Sequence, residues 1–188
     1  MRCFILSLFL LGMATTSSAV EYYDIDGPHT FPHFAVSHLG FSTLYGRFEQ
    51  TRGKILIDRE HNSGFVDVTI SAVSVSTGHK KRDEHLRSPD FFNVMEYPDI
   101  TFKSTSIDYI GEDKAKIIGD LSILGVSKSV TLNVNRIICG KNPVNKKQTC
   151  GFEATSEITR SDYGMTYGLP GIGDKVKLWF QVEAQKEE

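Results

Sequence analysis

A two-residue alternation of apolar and polar side chains runs through most of this chain, and it limits the possible folds more than any other feature. In GFVDVTISAVSVST, residues 64–77, the apolar residues Val66, Val68, Ile70 and Ala72 fall on one side and polar residues fall on the other. Successive side chains of a β-strand point to opposite faces, so this pattern predicts a strand with one buried face. Similar β-rich segments, separated by turn residues, follow at residues 99–110, 113–124, 127–139, 150–159 and 174–184.

Three earlier segments, VEYYDID, FPHFAVSHL and RFEQTRGKILID, raise the expected number of strands to eight or nine. Many short strands at regular spacing are typical of a sandwich or a barrel, and about eight strands favour a barrel because closure removes the unpaired edges. We therefore predict an all-β fold with a single antiparallel barrel and one short helical insertion, HKKRDEHLRSPDFFNV, at residues 79–94. Packed side chains or one elongated ligand can fill such an interior, and the pattern leaves both open.

Residues 1–19 have the pattern of a secretory signal peptide. Arg2 gives a positive start, CFILSLFLLGMA is a short apolar run, and SSA ending at Ala19 supplies small residues before a cleavage site. The run is too short for a comfortable transmembrane helix, and no later segment is apolar enough to span a membrane. We expect export, cleavage after Ala19 and one mature domain over residues 20–188, with an uncleaved interfacial anchor as the alternative.

Export makes a disulfide the expected state of the two cysteines of the mature chain. Cys139 and Cys150 flank GKNPVNKKQT, a polar stretch typical of a hairpin loop. The spacing is not C-x-x-C, which argues against a redox-active pair. A disulfide across a loop of this size contributes about 3 kcal/mol in the chain-entropy model.

The charge distribution argues against a nucleic-acid partner. Residues 20–188 carry 20 Lys and Arg residues against 23 Asp and Glu residues, and both signs are scattered along the chain. The densest basic run, HKKRDEHLR, contains Asp83 and Glu84, and this mixture predicts a solvated helix face.

The chain contains no recognisable catalytic or metal-binding motif. It has no G-x-S-x-G, H-E-x-x-H, paired C-x-x-C or EF-hand pattern, although composition alone does not exclude a Ser-His-Asp triad. His29 and His33 could share one face of a strand, but Pro32 interrupts the pair and a structural metal site needs further ligands. We therefore expect no catalytic residues and no metal site.

Several blocks agree in order and spacing with one known family over nearly all of residues 20–188. They are HTFPHFAVSHLG with the following LYG, SVST, RDEHLRSPDFFNV, YPDITFKSTS, GDLSILGVSKSVTL and SDYGM. Together they resemble the YceI family of exported bacterial proteins with a lipocalin-like barrel. The resemblance implies a periplasmic, non-enzymatic carrier or store of a long apolar lipid, such as an isoprenoid, an isoprenoid quinone or a fatty acid derivative.

Two other functions stay open at this point: an accessory protein that presents a bound quinone or lipid to a redox partner or enzyme, and a stress-related structural protein without a ligand. The expected partner is an apolar lipid, with no cofactor beyond it and no nucleic acid, and the sequence leaves a homodimer open. The helical passage, with Phe91 and Phe92, is expected to cap one mouth of the barrel or to form a rigid plug.

The lipid-contacting residues expected for such a barrel come from the apolar faces of its strands. His38 ends the same face as Phe34 and is a candidate contact for a lipid headgroup; the alternative is that its ring only satisfies a backbone group in the wall. The apolar lining is predicted to include Phe34, Val36, Val68, Ile70, Phe102 and Leu121.

Overall fold

The computed structural model describes residues 20–187, and the predicted signal peptide at residues 1–19 lies outside them. The described chain contains eleven β-strands, one α-helix and three short 3-10 turns. No helix within residues 20–187 is long and apolar enough to cross a membrane. The strands are β1 (Glu21–Ile25), β2 (Phe31–His38), β3 (Ser42–Phe48), β4 (Thr51–Asp58), β5 (Ser63–Ser71), β6 (Val75–Ser76), β7 (Asp99–Ile110), β8 (Lys114–Ile123), β9 (Val126–Lys141), β10 (Gln148–Thr159) and β11 (Ile172–Lys186), and the helix is α1 (Lys80–Leu86).

Eight strands form a closed antiparallel barrel, which confirms the predicted fold. Their order is β1, β4, β5, β7, β8, β9, β10 and β11, and pairing of β1 with β11 closes the ring. The other three strands, β2, β3 and β6, extend the sheet from β11 on one side of the ring. We define the lower end of the barrel as the end that contains β1 and the upper end as the end that contains the β2–β3 turn.

Three predicted strands have different boundaries in the structure. The pattern at residues 64–77 is not one strand: β5 ends at Ser71, Ala72–Ser74 form a 3-10 turn, and β6 follows. Residues 42–46, to which the pattern assigns no strand, belong to β3, because Leu39 and Gly40 turn the chain back at positive φ angles of 54° and 74° and make a β2–β3 hairpin. The segment RFEQTRGKILID is broken into β3 and β4 at residues 49–50. There the Ser74 hydroxyl accepts hydrogen bonds from the backbone N–H groups of Glu49 and Gln50, each 3.1 Å long, and fixes a corner.

Along one of its edges, strand β11 pairs with two different strands. Its lower end pairs with β1, from Ala184 to Lys186, while its upper part pairs with β2, from Ile172 to Gln181. Between β1 and β2 the chain makes a 3-10 turn at Gly27–His29. The buried Thr30 hydroxyl bridges the gap: it donates to the Glu183 carbonyl and accepts from the Glu183 N–H, both at 3.1 Å.

The segment between β6 and β7, called the α1 passage, contains α1 and the turns that follow it. It covers the upper wall next to β6, which is the last strand of the sheet. Arg87 anchors it by donating to the carbonyls of Val73 and Val75, at 2.7 and 2.9 Å. The Phe92 ring packs edge-on against Phe48 of β3, with ring centroids 5.4 Å apart. The predicted helical passage is therefore present as α1 followed by turns, and it lies over the upper end of the barrel.

The predicted disulfide is present. Cys139 and Cys150 are directly opposite each other on β9 and β10, and a sulfur–sulfur bond joins them. The intervening residues form the expected hairpin loop, at 142–147. The bond ties the two strands together at the lower end of the barrel.

Replacing Thr30 tests the bridge between β1 and β2. Thr30→Val has nearly the same shape but leaves the Glu183 N–H without its partner, so we expect a loss of about 1–3 kcal/mol in unfolding free energy, measured by urea denaturation. Thr30→Ser keeps the hydroxyl and is expected to lose less. Equal stability of the valine variant and the parent would show that the hydroxyl bridge does not hold this part of the wall.

Candidate ligand cavity

The barrel interior contains two adjoining apolar chambers. The upper chamber has a volume of about 380 Å³ and lies beneath β2, β3 and the α1 passage. The lower chamber has a volume of about 100 Å³ and lies inside the closed ring. Both chambers are lined by Pro32, Ile70, Leu121 and Phe180, so these four residues mark a waist where the chambers meet.

All seven residues predicted to contact a ligand line this interior. Phe34, Val36 and His38 of β2 line the upper chamber. Val68 of β5 and Phe102 of β7 line the lower chamber, and Ile70 and Leu121 lie at the waist. The strand faces were therefore assigned correctly, while contact of these residues with a lipid stays a prediction.

Two phenylalanine rings lie flat against the wall because glycines sit beneath them. Gly46 is the cross-strand partner of Phe34, and a Cβ at residue 46 would overlap the Phe34 ring. A Cβ at Gly119 on β8 would likewise overlap the ring of Phe102 on β7, although the cross-strand partner of Gly119 is Ser104. A side chain at either glycine would push its ring inward, so the glycines preserve open interior space.

The two histidines of β2, His33 and His38, lie in different surroundings. The His38 ring lines the upper chamber and makes no hydrogen bond within residues 20–187, so the alternative role of bonding a wall backbone group is not observed there. His33 stacks on Trp179 with ring planes 1° apart, and burial lowers the pKa of its imidazole. The β2 histidines thus do not converge on one point.

His29 lies in the turn before β2 and its Nδ1 is 3.1 Å from an Asp26 oxygen. Asp26, His29 and Glu183 place one potential metal-ligand atom each within 4.8 Å of one another. Gln185 also donates to Asp26, at 2.8 Å, so hydrogen bonds within the chain account for this cluster. The expected absence of a metal site stays a prediction.

Sequence reasoning missed a polar turn in the upper wall. The 3-10 turn Arg160–Tyr163 follows β10, and the Arg160 side chain is only 4% exposed. Its guanidinium donates to the carbonyls of Gly173, Met165 and Ile172 at 2.8, 2.8 and 3.0 Å, which ties down the loop before β11. The only sequence signal was the block SDYGM, which carries the family resemblance without indicating a role.

Tyr163 on this turn also lines the upper chamber and is 2% exposed. Its hydroxyl has no hydrogen-bond partner among the described residues. Burial raises the pKa of the phenol to about 12, so the hydroxyl keeps its proton at neutral pH and remains a donor.

The fold and its interior place the molecule in the class of closed antiparallel β-barrels with an apolar cavity. The model of the YceI-like domain family matches residues 23–184, and the chain belongs to this family. Protein YceI of Escherichia coli is 39% identical over 181 residues, which cover 95% of this chain and 94% of that protein.

Solved structures agree with this assignment. A YCEI protein of Campylobacter jejuni is 34% identical and superposes with a TM-score of 0.70, covering 81% of this chain and 90% of that chain. A polyisoprenoid binding domain from Saccharophagus degradans has the same fold, with a TM-score of 0.66 and 20% identity, covering 88% and 98% of the two chains.

Substituting Gly46 tests whether the glycine keeps Phe34 against the wall. Gly46→Ala is expected to displace the ring toward the chamber and lower the unfolding free energy by about 1–3 kcal/mol, as overpacking does in other cores. Gly140→Ala is the matched control, since a Cβ at residue 140 has nothing within 4 Å. If thermal or urea denaturation shows the same small effect for both variants, the close packing of Phe34 on residue 46 is wrong.

Proposed function

We propose that this protein is an exported, non-enzymatic carrier or store of a long apolar lipid in the periplasm. The observation that carries the proposal is the pair of adjoining apolar chambers in the barrel interior, which share four lining residues at the waist. The ligand class is an isoprenoid, an isoprenoid quinone or a fatty acid derivative. Export rests on the signal-peptide pattern at residues 1–19.

The shape of the cavity suits a chain better than a compact molecule. Its larger chamber falls within the range of about 300–1,000 Å³ that is usual for small-molecule sites. The smaller chamber adjoins it at the waist, and a flexible tail that displaces the side chains there extends from one chamber into the other. Each buried CH₂ group contributes about 0.8 kcal/mol, so a tail can bind well with few polar contacts.

Relatives support the same ligand class. The Saccharophagus degradans domain that shares this fold is described as polyisoprenoid binding. The chain also belongs to the YceI-like family, and it matches Protein YceI of Escherichia coli over almost the whole length of that protein. Both observations favour binding of a lipid over catalysis, and the enclosed apolar interior is the physical reason that such a ligand fits.

A chain-length series tests the proposal. We expect straight-chain fatty acids from decanoic to eicosanoic acid to bind the delipidated protein with affinity that rises with chain length and then levels off when the cavity is full. Leu121→Trp narrows the waist, so its affinities should level off at a shorter chain. Displacement of a fluorescent fatty acid measures both curves.

Ile138→Trp is the matched control, because Ile138 is an exposed residue on the outer face of β9. Circular dichroism would show that both variants remain folded, and Leu121→Phe gives a milder change at the same position. Affinities independent of chain length, or identical curves for Leu121→Trp and the parent, would contradict binding along the two chambers.

A further inference from the structure

The turns at the two ends of the barrel differ in charge. Each of the three lower hairpin turns contains charged side chains. These turns are residues 59–62 with Arg59 and Glu60, residues 111–113 with Glu112 and Asp113, and residues 142–147 with Lys146 and Lys147. By contrast, no charged residue occurs in the β2–β3 turn (residues 39–41), in the β8–β9 turn (residues 124–125) or in residues 164–171 before β11.

Two of the upper turns also expose large apolar side chains. Phe41 is 91% exposed and Leu39 is 55% exposed in the β2–β3 turn, and Tyr167 is 47% exposed between β10 and β11. Single exposed apolar residues are common, but several in adjoining turns form a patch, and such patches mark interaction sites. At the lower end Val144 is exposed as well, but it shares its turn with two lysines.

Contacts between these turns and α1 place the patch beside the opening of the upper chamber. The Leu39 N–H donates to the Gly171 carbonyl at 2.7 Å, so the β2–β3 turn adjoins residues 164–171. The Tyr167 ring packs edge-on against His85 of α1, with ring centroids 5.1 Å apart. Both His85 and Lys81 are exposed and line the upper chamber, which thus reaches the surface here. We call residues 39–41, residues 164–171 and α1 the upper rim.

Lysines on α1 give the upper rim positive charge. Lys80 and Lys81 are exposed and take part in no ion pair among residues 20–187. Glu84 is an exposed acidic residue on the same helix, whereas the Asp90 carboxylate lies 2.7 Å from the His85 ring. Lysines beside exposed Leu, Phe and Tyr side chains are typical of surfaces that lie in the headgroup region of a bilayer.

The shape of the patch favours a bilayer over a protein partner. A protein interface packs each large side chain that it buries into a complementary pocket. The Phe41 ring stands almost free of its neighbours in a hairpin turn, and Tyr167 comes from a separate turn. A fluid headgroup region accepts such separate side chains without a matched surface.

We propose that the upper rim docks on a lipid bilayer that contains anionic lipids. Leu39, Phe41 and Tyr167 lie among the lipid headgroups, and Lys80 and Lys81 interact with lipid phosphates. The upper chamber then opens toward the bilayer, so a long apolar molecule enters or leaves it without crossing bulk water. This inference rests on the proposed lipid-binding function and adds the partner with which the ligand is exchanged.

Vesicle co-sedimentation tests the apolar contacts. The chain is used without residues 1–19, since their apolar run would itself bind vesicles, and the vesicles are phosphatidylcholine with about one quarter phosphatidylglycerol. Phe41→Ser should lower the vesicle binding constant about 10-fold, because a large apolar side chain no longer enters the membrane. Val144→Ser is the matched control, since Val144 is 88% exposed at the opposite end, and it should bind as the parent does.

A second pair of variants tests the charge. Lys80→Gln combined with Lys81→Gln should weaken binding to these vesicles about 10-fold, because lysines close to an anionic surface are attracted to it. Lys146→Gln combined with Lys147→Gln changes the net charge equally but at the lower end, so it should have little effect. Added salt should reduce the difference between the two double variants, since it screens exposed charges.

Tryptophan fluorescence tests which end meets the membrane. The emission of Phe41→Trp should shift to shorter wavelength when vesicles are added and should be quenched by brominated acyl chains. Val144→Trp should show neither effect. Trp179, the only native tryptophan, is present in both variants and gives the same background.

Vesicle binding and fatty acid binding can fail separately. If the parent does not bind vesicles, or if Phe41→Ser binds them as well as the parent does, docking through the upper rim is wrong, while fatty acid binding in the displacement assay leaves the lipid-binding function intact. A dimer that Phe41→Ser dissociates, seen by analytical ultracentrifugation without vesicle binding, would show that a second copy covers the patch and would also overturn the proposal. If vesicles bind through the rim and fatty acids do not bind, the carrier function alone is contradicted.

Discussion

The architecture depends on how the backbone of β11 is hydrogen-bonded. A strand inside a barrel needs a partner on both sides along its whole length, because unpaired backbone groups in the wall are costly. On one side, β11 pairs with β10 from Lys175 to Gln185; on the other, it pairs with β1 below and β2 above. The shift from one partner to the other, bridged by Thr30, closes the lower half into a narrow ring and lets the β2–β3 hairpin diverge above it. The two chambers of unequal size follow from this shift.

The interior stays open because of where small and large side chains are placed. Phe34 and Phe102 lie over glycines, so their rings cover the wall instead of crossing the cavity. The α1 passage closes the upper wall where the extended sheet ends, and it brings Lys81 and Arg82 to the edge of the larger chamber. The same segment thus completes the barrel and places two cations at its upper end.

The strands and their inward faces could be predicted from the sequence because alternation is a local property. The strand β7 was predicted at residues 99–110, and Ile70 and Leu121 were correctly placed on the inner surface. Pairings between distant strands could not be predicted from this local pattern. The pairing of β11 with both β1 and β2 depends on residues more than 150 positions apart, such as Thr30 and Glu183. Arg160 and Tyr163 were missed because a charged residue and a tyrosine in a turn normally suggest an exposed surface.

If the protein carries a lipid, a long apolar molecule occupies the two chambers when the protein is in its own compartment. Organic extraction of the protein purified without delipidation, followed by mass spectrometry, would detect this molecule. We expect one long-chain lipid per barrel, present in stoichiometric amount. A protein that yields no lipid, and whose experimental structure shows side chains filling both chambers, would contradict it.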